Sequence, residues 1–342
     1  MTMICKTSDW MTVTLGDVTT LQRGFDITKA EQRPGDIPVV SSSGVASYHD
    51  QYKVNGPGVV IGRKGSLGTA FYVSGDFWPH DTTLWVKDFH GNDPKFCYYL
   101  LKTLRLERFD AGASNPTLNR NHVHGLPVRI PPATIQRRIA SILAAYDDLI
   151  ENNTRRIAIL EEMARRIYEE WFIRFRFPGH EQVKMVESEL GLIPEGWVAT
   201  QLGQHLVSLE SGKRPKGGVS QIGQGVPSIG AENVISIGRH NFASEKLISK
   251  EFFDSMKKGV VADRDVAVYK DGAYIGRSTY FRDSFPHHVC AVNEHVFLLR
   301  SSGVRLTQNQ LYLWLQRTET IEAIRATNAN AAQPGIINPA IK

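Results

Sequence analysis

The sequence predicts an α+β chain in which two similar domains of short strands and helices are joined by one long helix of coiled-coil type. Three observations carry this. A set of landmarks recurs in the same order at long spacing, strand-like apolar runs end in glycine turns, and no glycine or proline interrupts an amphipathic pattern from Thr134 to Phe177. The expected organisation is a first domain over 1–132, the helix over 133–177, a linker over 178–196 and a second domain over 197–342.

Trp10 opens the first domain in the phrase Trp-x4-Leu-Gly, with Leu15, Gly16 and Asp17, and Arg23-Gly24 follows. Trp197 repeats the phrase 187 residues later with Leu202 and Gly203, and Gly212 follows. Ile37 to Ser41 then answers to Val226 to Gly230, and the glycine-ended run Gly58 to Gly68 answers to Asp265 to Arg277. Strands are expected at Thr82 to Val86 and His295 to Leu299, and short helices at Phe96 to Leu106 and Asn309 to Arg317. Asn115-Pro116-Thr117-Leu118-Asn119 closes the first copy and Gln333 to Asn338 the second. Landmarks in one order imply two copies of one α+β body.

Between the copies, Pro131-Pro132 stops the first domain and Thr134 is placed to cap the helix. Leu143, Ile150, Ile157, Ala164 and Trp171 recur every seven residues, with Tyr146, Asn153, Leu160 and Ile167 offset by three. That is a coiled-coil seam, in which Asn153 is the one strongly polar position and fixes register. At ~1.5 Å per residue the helix is roughly 60 Å long, longer than a small domain is wide, so it bridges two bodies. Its charged flanks, Arg137, Arg138, Arg155, Arg156, Arg165 and Arg166 against Asp147, Asp148, Glu151, Glu161, Glu162, Glu169 and Glu170, read as a solvated face. The seam needs a partner helix. The second copy stops at Lys342, where a second rod would begin, so the expectation is a shortened chain whose helix pairs with another chain or a second copy.

Composition bounds the function. With 342 residues, 42% hydrophobic and 22% charged, the chain is long enough for two cores and is not disordered. No apolar run reaches the roughly 18 residues that cross a membrane and the N-terminus lacks a secretory signal pattern, so the expected setting is cytoplasmic, with no membrane partner. Cys5, Cys97 and Cys290 are isolated, which disfavours a disulfide framework or a structural zinc site. The net charge of +5 suits a polyanionic partner, and it is spread evenly, with excesses of 2, 1 and 2 over 1–132, 133–177 and the remainder.

No catalytic constellation is present. Gly62-Arg63-Lys64-Gly65-Ser66-Leu67-Gly68 is glycine-rich and basic but lacks the spacing of a phosphate loop. There is no Pro-Asp dipeptide and no Glu-x-Lys of a common metal-nuclease pattern. Asn115-Pro116-Thr117-Leu118 is similar to an amino-methyltransferase loop but lacks its second proline and aromatic, and reads as a turn. His122, His124, His287 and His288 read as loop or surface residues, because no Cys or well-spaced carboxylate accompanies them, and no metal is expected. Binding fits better. Ser41, Ser43, Arg63, Lys64 and Ser66 in the first copy, and Lys213, Arg214, Lys216, Lys270, Tyr274 and Arg277 in the second, bring cations and hydroxyls to glycine-flanked turns. Such groups hold phosphates or pair with base edges of duplex DNA, and two like bodies on a stiff rod could read two elements about a helical turn apart.

These residues resemble the specificity (S) subunit of type I restriction-modification systems, over essentially the whole chain. The resemblance rests on the Trp10 opening, the run Val59 to Gly68, Leu118-Asn119 and Gln136-Arg-Arg-Ile139-Ala-Ser-Ile-Leu143. It also rests on Asp147, Ile150, Glu151 and Asn153, Trp171-Phe172 to Phe177-Pro178-Gly179, and Leu190-Gly191-Leu192-Ile193-Pro194-Glu195-Gly196-Trp197. The resemblance implies two target recognition domains, each reading half of a bipartite site. It implies a helix packing through Leu143, Tyr146, Ile150, Asn153, Ile157, Leu160, Ile167 and Trp171 that sets the spacer and docks two modification (methyltransferase) subunits using S-adenosylmethionine. Two restriction subunits, driven by ATP with magnesium, complete the endonuclease, so this chain itself would be non-catalytic and hold no cofactor. Ile135 stands before Gln136 where the family usually has Glu, which weakens the expected helix cap. The alternatives are an independent nuclease or methyltransferase, and a protein-interaction scaffold that never touches DNA.

Overall fold

A computed structural model describes residues 10–109, 117–219, 223–272 and 274–326. The closing landmarks Asn115-Pro116 and Gln333 to Asn338, and Cys5, lie outside them. The chain divides into two units, Met1–Arg156 and Ile157–Lys342, with the division falling inside the long helix.

In the first unit the strands are β1 (Met11–Thr14), β2 (Thr20–Arg23), β3 (Ile37–Ser41), β4 (Gly44–His49), β5 (Gly58–Gly62), β6 (Ala70–Val73), β7 (Trp78–Pro79), β8 (Thr83–Asp88) and β9 (Pro127–Ile130). Its helices are α1 (Leu15–Val18), α2 (Pro94–Thr103), α3 (Arg120–His124) and the start of α4 (Ala133–Tyr168). A four-stranded sheet runs β2-β8-β5-β6, a three-stranded sheet runs β4-β3-β7, and β1 pairs with β9. Period-two alternation in β5 explains the layering. Val59 and Ile61 bury against Phe96, Cys97 and Leu101 of α2, while Val60 on the opposite face meets Val40, Phe77 and Trp85.

In the second unit the strands are β10 (Met185–Ser188), β11 (Gly191–Pro194), β12 (Leu206–Ser211), β13 (Val226–Ile229), β14 (Val234–Ser236), β15 (Arg239–His240), β16 (Lys246–Ile248), β17 (Val266–Tyr269), β18 (Ser278–Tyr280), β19 (Ala291–Val292) and β20 (Val296–Ser301). Helices α5 (Lys250–Ser255), α6 (Gln308–Leu315) and α7 (Thr318–Ala326) complete it. The sheets run β12-β20-β17-β18 and β16-β13-β19, the same orders as in the first unit. Both three-stranded sheets combine one antiparallel pair with one parallel pair, β3 with β7 and β13 with β19. The alternation repeats as well: Val266 and Val268 face Leu311 and Leu315, and Ala267 faces Ile229 and Val292. The repeat expected from the landmarks is thus a repeat of topology.

A buried ion pair ties the second sheet to its loops. Arg300 Nε and Nη2 lie 2.7 Å from Asp265 Oδ1 and Oδ2, Arg300 Nη1 donates to Glu210 at 3.0 Å, and Ala262 N–H donates to Asp265 at 2.8 Å. The Asp265 side chain is 2% exposed. Asp265→Ala removes the bidentate partner of the guanidinium, leaving it Glu210 and Val260 O alone, and is expected to cost about 3 kcal/mol, read as a lower urea midpoint at unchanged slope.

The long helix begins at Ala133, the expected first residue, but Thr134 sits within the first turn instead of capping it. The Pro132 carbonyl accepts from Ile135 and Gln136 N–H, and the buried Gln136 side chain ties this end to the residues that open α2. Its Nε2 donates to Asn92 Oδ1 at 2.7 Å and Pro131 O at 3.0 Å, and its Oε1 accepts from Asp93 N–H at 3.0 Å. Asp93 is itself the cap of α2, accepting from Phe96 N–H, so one amide joins two helix starts. At the other end α4 passes into a π turn, Glu169–Ile173, and stops short of Phe177. The segment expected as a linker holds the β10–β11 hairpin, and Trp197 after it packs against Phe172, Phe175 and Phe177 at ring separations of 5.4–5.8 Å. The strands are only four residues long and carry no clear apolar–polar alternation, because neither face of this two-stranded piece is fully buried.

Candidate nucleic-acid interface

The basic turns arise where β5 and β17 leave their sheets. In the first domain Gly62 N–H donates to Thr69 O at 2.9 Å and Gly68 N–H to Gly62 O at 2.8 Å, closing a loop around Arg63 to Leu67. In the second, Tyr269 N–H donates to Arg277 O at 2.8 Å and Gly276 N–H to Tyr269 O at 3.0 Å. Gly68 and Gly276 both take positive φ, +72° and +86°, a region in which a side chain is strained. The two loops are therefore one device, with a residue added in the second copy.

Strand register fixes the correspondence further. Gly62 pairs with Thr83 and Tyr269 with Val296, so the next residues, Arg63 and Lys270, occupy one position. Each donates its N–H to the residue preceding the paired one, Arg63 to Thr82 O at 2.8 Å and Lys270 to His295 O at 3.0 Å. Their backbone donors are spent, so any ligand contact must come from their side chains. One residue earlier stand Asp81 and Glu294. Asp81 accepts from Arg23 at 3.0 Å, and Glu294 lies 3.7 Å from the Arg214 guanidinium. Each copy thus carries a cation on the loop and an arginine held by an acid at its base.

Other candidate residues distribute unevenly. Ser41 and Ser43 share a hydrogen bond at 3.0 Å in the β3–β4 turn, and Ser42 N–H reaches Thr82 Oγ1 at 3.4 Å, which brings that turn beside the Arg63 loop. Ser66 is exposed at the loop tip, and Lys64 forms a bridge with Thr117. Lys213 and Lys216 are exposed on the turn that carries Arg214. Lys270 Nζ lies 5.1 Å from the Phe297 ring centre, and the Arg277 guanidinium stacks 4.0 Å over Tyr274 while donating to Val234 O at 3.4 Å. Arg23, Asp81, Thr82, Glu294 and His295 were not among the sequence candidates. The Arg23-Gly24 landmark and the strands expected to open at Thr82 and His295 touched three of them, but strand register, not spacing, brings all five to the loop.

His124 is structural: its Nε2 accepts from Leu21 N–H at 2.9 Å, and burial holds its pKa below the ordinary value, in the neutral form that can accept. Cys97 and Cys290 are free and buried, with thiols pushed up to about 12 by desolvation, so neither is a reactive nucleophile. The seam residues Leu143, Tyr146, Ile150, Ile157, Leu160, Ile167 and Trp171 are 37–63% exposed, and Asn153 is exposed with them. No helix among the described residues is long and apolar enough to cross a membrane.

Residues 7–162 match a family described as the type I restriction modification DNA specificity domain. A type I restriction enzyme specificity subunit, MjaIX, of Methanocaldococcus jannaschii is 32% identical over 123 residues, covering 34% of this chain and 28% of that protein. The MjaVIII specificity subunit of the same organism is 25% identical over 187 residues, 54% of this chain and 42% of that one. The alignments thus span less than half the length of these two relatives. A solved structure, a type I restriction-modification S subunit from M. genitalium, aligns with a TM-score of 0.59 at 16% identity, covering 97% of this chain and 82% of that one. That likeness is one of fold.

Proposed function

We propose, from the match of residues 7–162 to the type I restriction modification DNA specificity domain, that this chain is the DNA-reading subunit of a type I restriction-modification complex. Each domain addresses one half of a bipartite duplex site, and α4 sets the gap between the halves and docks two modification subunits. The chain supplies the address and no chemistry. The modification subunits methylate adenine with S-adenosylmethionine, and two restriction subunits add ATP- and magnesium-dependent cleavage.

The observation that supports this best is one loop built twice, with Arg63 and Lys270 at a single register position and Asp81 and Glu294 at another. Arginine and lysine pair with guanine O6 and N7 in the major groove, and carboxylates accept from cytosine N4. Exposed Ser43, Ser66, Lys213 and Lys216 suit phosphate contacts, which position the duplex without reading it. The exposed seam of α4 supports a partner helix, from another chain or from a second copy of this one.

The test is coexpression with the cognate modification subunit, followed by sequencing of methylated adenines. The expected result is one bipartite motif with a fixed gap. Methylation with no such motif overturns the proposal, and binding insensitive to both salt and sequence favours the scaffold alternative, because phosphate contacts weaken steeply as salt rises.

A further inference from the structure

Away from the basic loops, the second domain gathers three ligand-type side chains from separate segments. His240 ends β15, Glu245 follows the 3-10 turn Phe242–Ser244, and His287 lies in the connection between β18 and β19. Their ligand atoms all fall within 4.8 Å of one another, the one such group among the described residues. His240 Nε2 and His287 Nε2 approach the same oxygen, Glu245 Oε1, at 2.5 and 2.6 Å. The side chains are 4%, 26% and 14% exposed for His240, His287 and Glu245. Phe242 and Phe285 pack edge-on around the imidazoles, at 4.7 Å from His240 to Phe242 and 5.8 Å from Phe242 to His287.

The duplicated fold shows that this cluster is not needed to build the sheet it borders. Val226 to Ile229 of β13 and Ile37 to Val40 of β3 run at one register, and β16 and β4 pair with them alike. Among its described residues, the first domain forms that sheet without a three-ligand group. What the second domain adds is a convergence: two imidazoles present the same ring nitrogen to one carboxylate oxygen, inside an aromatic wall. Two His nitrogens and one Glu oxygen are the protein ligands of a tetrahedral zinc site with one open position. Bonds of ~2.0–2.1 Å give ligand-to-ligand edges of roughly 3.3 Å, so accepting an ion requires Glu245 and each imidazole to part by under about 1 Å. Glu245 also lines a groove of about 730 Å³ with Arg214, Gly217, Gly218 and Lys246, which leaves an approach for the fourth ligand.

We propose that His240, Glu245 and His287 bind one zinc-type divalent transition cation through two Nε2 atoms and a carboxylate oxygen. The ion pins the β15–β16 turn to the β18–β19 connection.

The test uses the full chain, stripped by chelator dialysis, and zinc chloride as the probe. Competition against a chromophoric chelator is expected to show one equivalent bound, with X-ray absorption fitting nitrogen and oxygen neighbours only. Zinc is expected to raise the Tm of the wild-type chain. His287→Gln and Glu245→Gln each weaken uptake at least 100-fold and abolish the Tm shift, whereas His288→Gln, at an exposed neighbour, changes neither. Failure of the stripped wild-type chain to take up stoichiometric zinc overturns the proposal, independently of how any variant folds. Equal uptake by folded His287→Gln and Glu245→Gln chains overturns the ligand assignment.

Discussion

Alanine in place of Gly212 is expected to prevent the second domain from folding, and alanine in place of Gly24 to do the same to the first. These two glycines follow β12 and β2, the equivalent outer strands of the two four-stranded sheets. A Cβ at Gly212 would lie 1.5 Å from Val292 O and 2.5 Å from Val292 C, and a Cβ at Gly24 would lie 2.1 Å from His80 O and 2.5 Å from Pro79 O. Real Cβ atoms do not come that close to backbone, and this backbone cannot retreat. Gly212 N–H is bonded to Asn293 O at 3.2 Å and Gly24 N–H to Thr83 O at 3.1 Å, while β19 and β7 are held by their own parallel pairings. Separating the segments breaks the junction of two sheets, a loss above about 4 kcal/mol and in the range that unfolds a marginal domain. Gly75 is the control, since nothing lies within 4 Å of its added methyl, and Gly75→Ala should stay within about 0.5 kcal/mol of wild type. Soluble yield and urea unfolding followed by tryptophan fluorescence check all three. A folded Gly212→Ala chain of wild-type stability would mean that the β12–β19 approach is looser than described.

That pair of glycines marks how far the sequence could be read. The recurrence of glycine after β2 and β12 was visible because tight backbone approach admits one residue type in both copies. The long helix was visible because its seam has a period. Its start was legible but its cap was not, because Pro132 O, ahead of Thr134, already accepts from Ile135 and Gln136 N–H. The β10–β11 hairpin was missed because its alternation is weak and its flanks polar. Of the candidate interface, Arg63 and Lys270 were legible as basic residues in glycine turns. Their equivalence was not, because the loops differ by one residue and only strand pairing aligns them. The partners Asp81 and Glu294, and the grouping of His240 and Glu245 with His287, depend on contacts between residues far apart in sequence, 58 positions for Arg23 with Asp81 and 42 for His287 with Glu245, which no local pattern reports.

Arg63→Ala and Lys270→Ala are expected to act on different halves of the site, and the double variant is expected to lose nearly all specific binding. Each removes a cation whose backbone is already fixed by Thr82 or His295, so the loop should keep its shape and lose the side chain's reach, with the weak Arg63 contact to Asp81 O or the Lys270 contact to the Phe297 ring. A side chain that pairs with a base edge contributes about 1–3 kcal/mol of discrimination, so each single change should weaken specific binding roughly 5- to 150-fold and relax the motif in its own half alone. Residues in separate domains share no hydrogen-bond partner, so their effects should add to about 2–6 kcal/mol in the double variant. A side chain that instead meets phosphate behaves differently: affinity falls alike for all sequences and the slope of log K against log salt drops by about one per cation removed. Fluorescence anisotropy with matched and half-mutated duplexes at several salt concentrations separates the two outcomes. Methylation mapping of the assembled complex then reports which half has relaxed. Unchanged affinity, salt slope and motif in the double variant would remove both residues from the interface, and would shift the reading of sequence to the Ser41–Ser43 and Lys213–Lys216 turns.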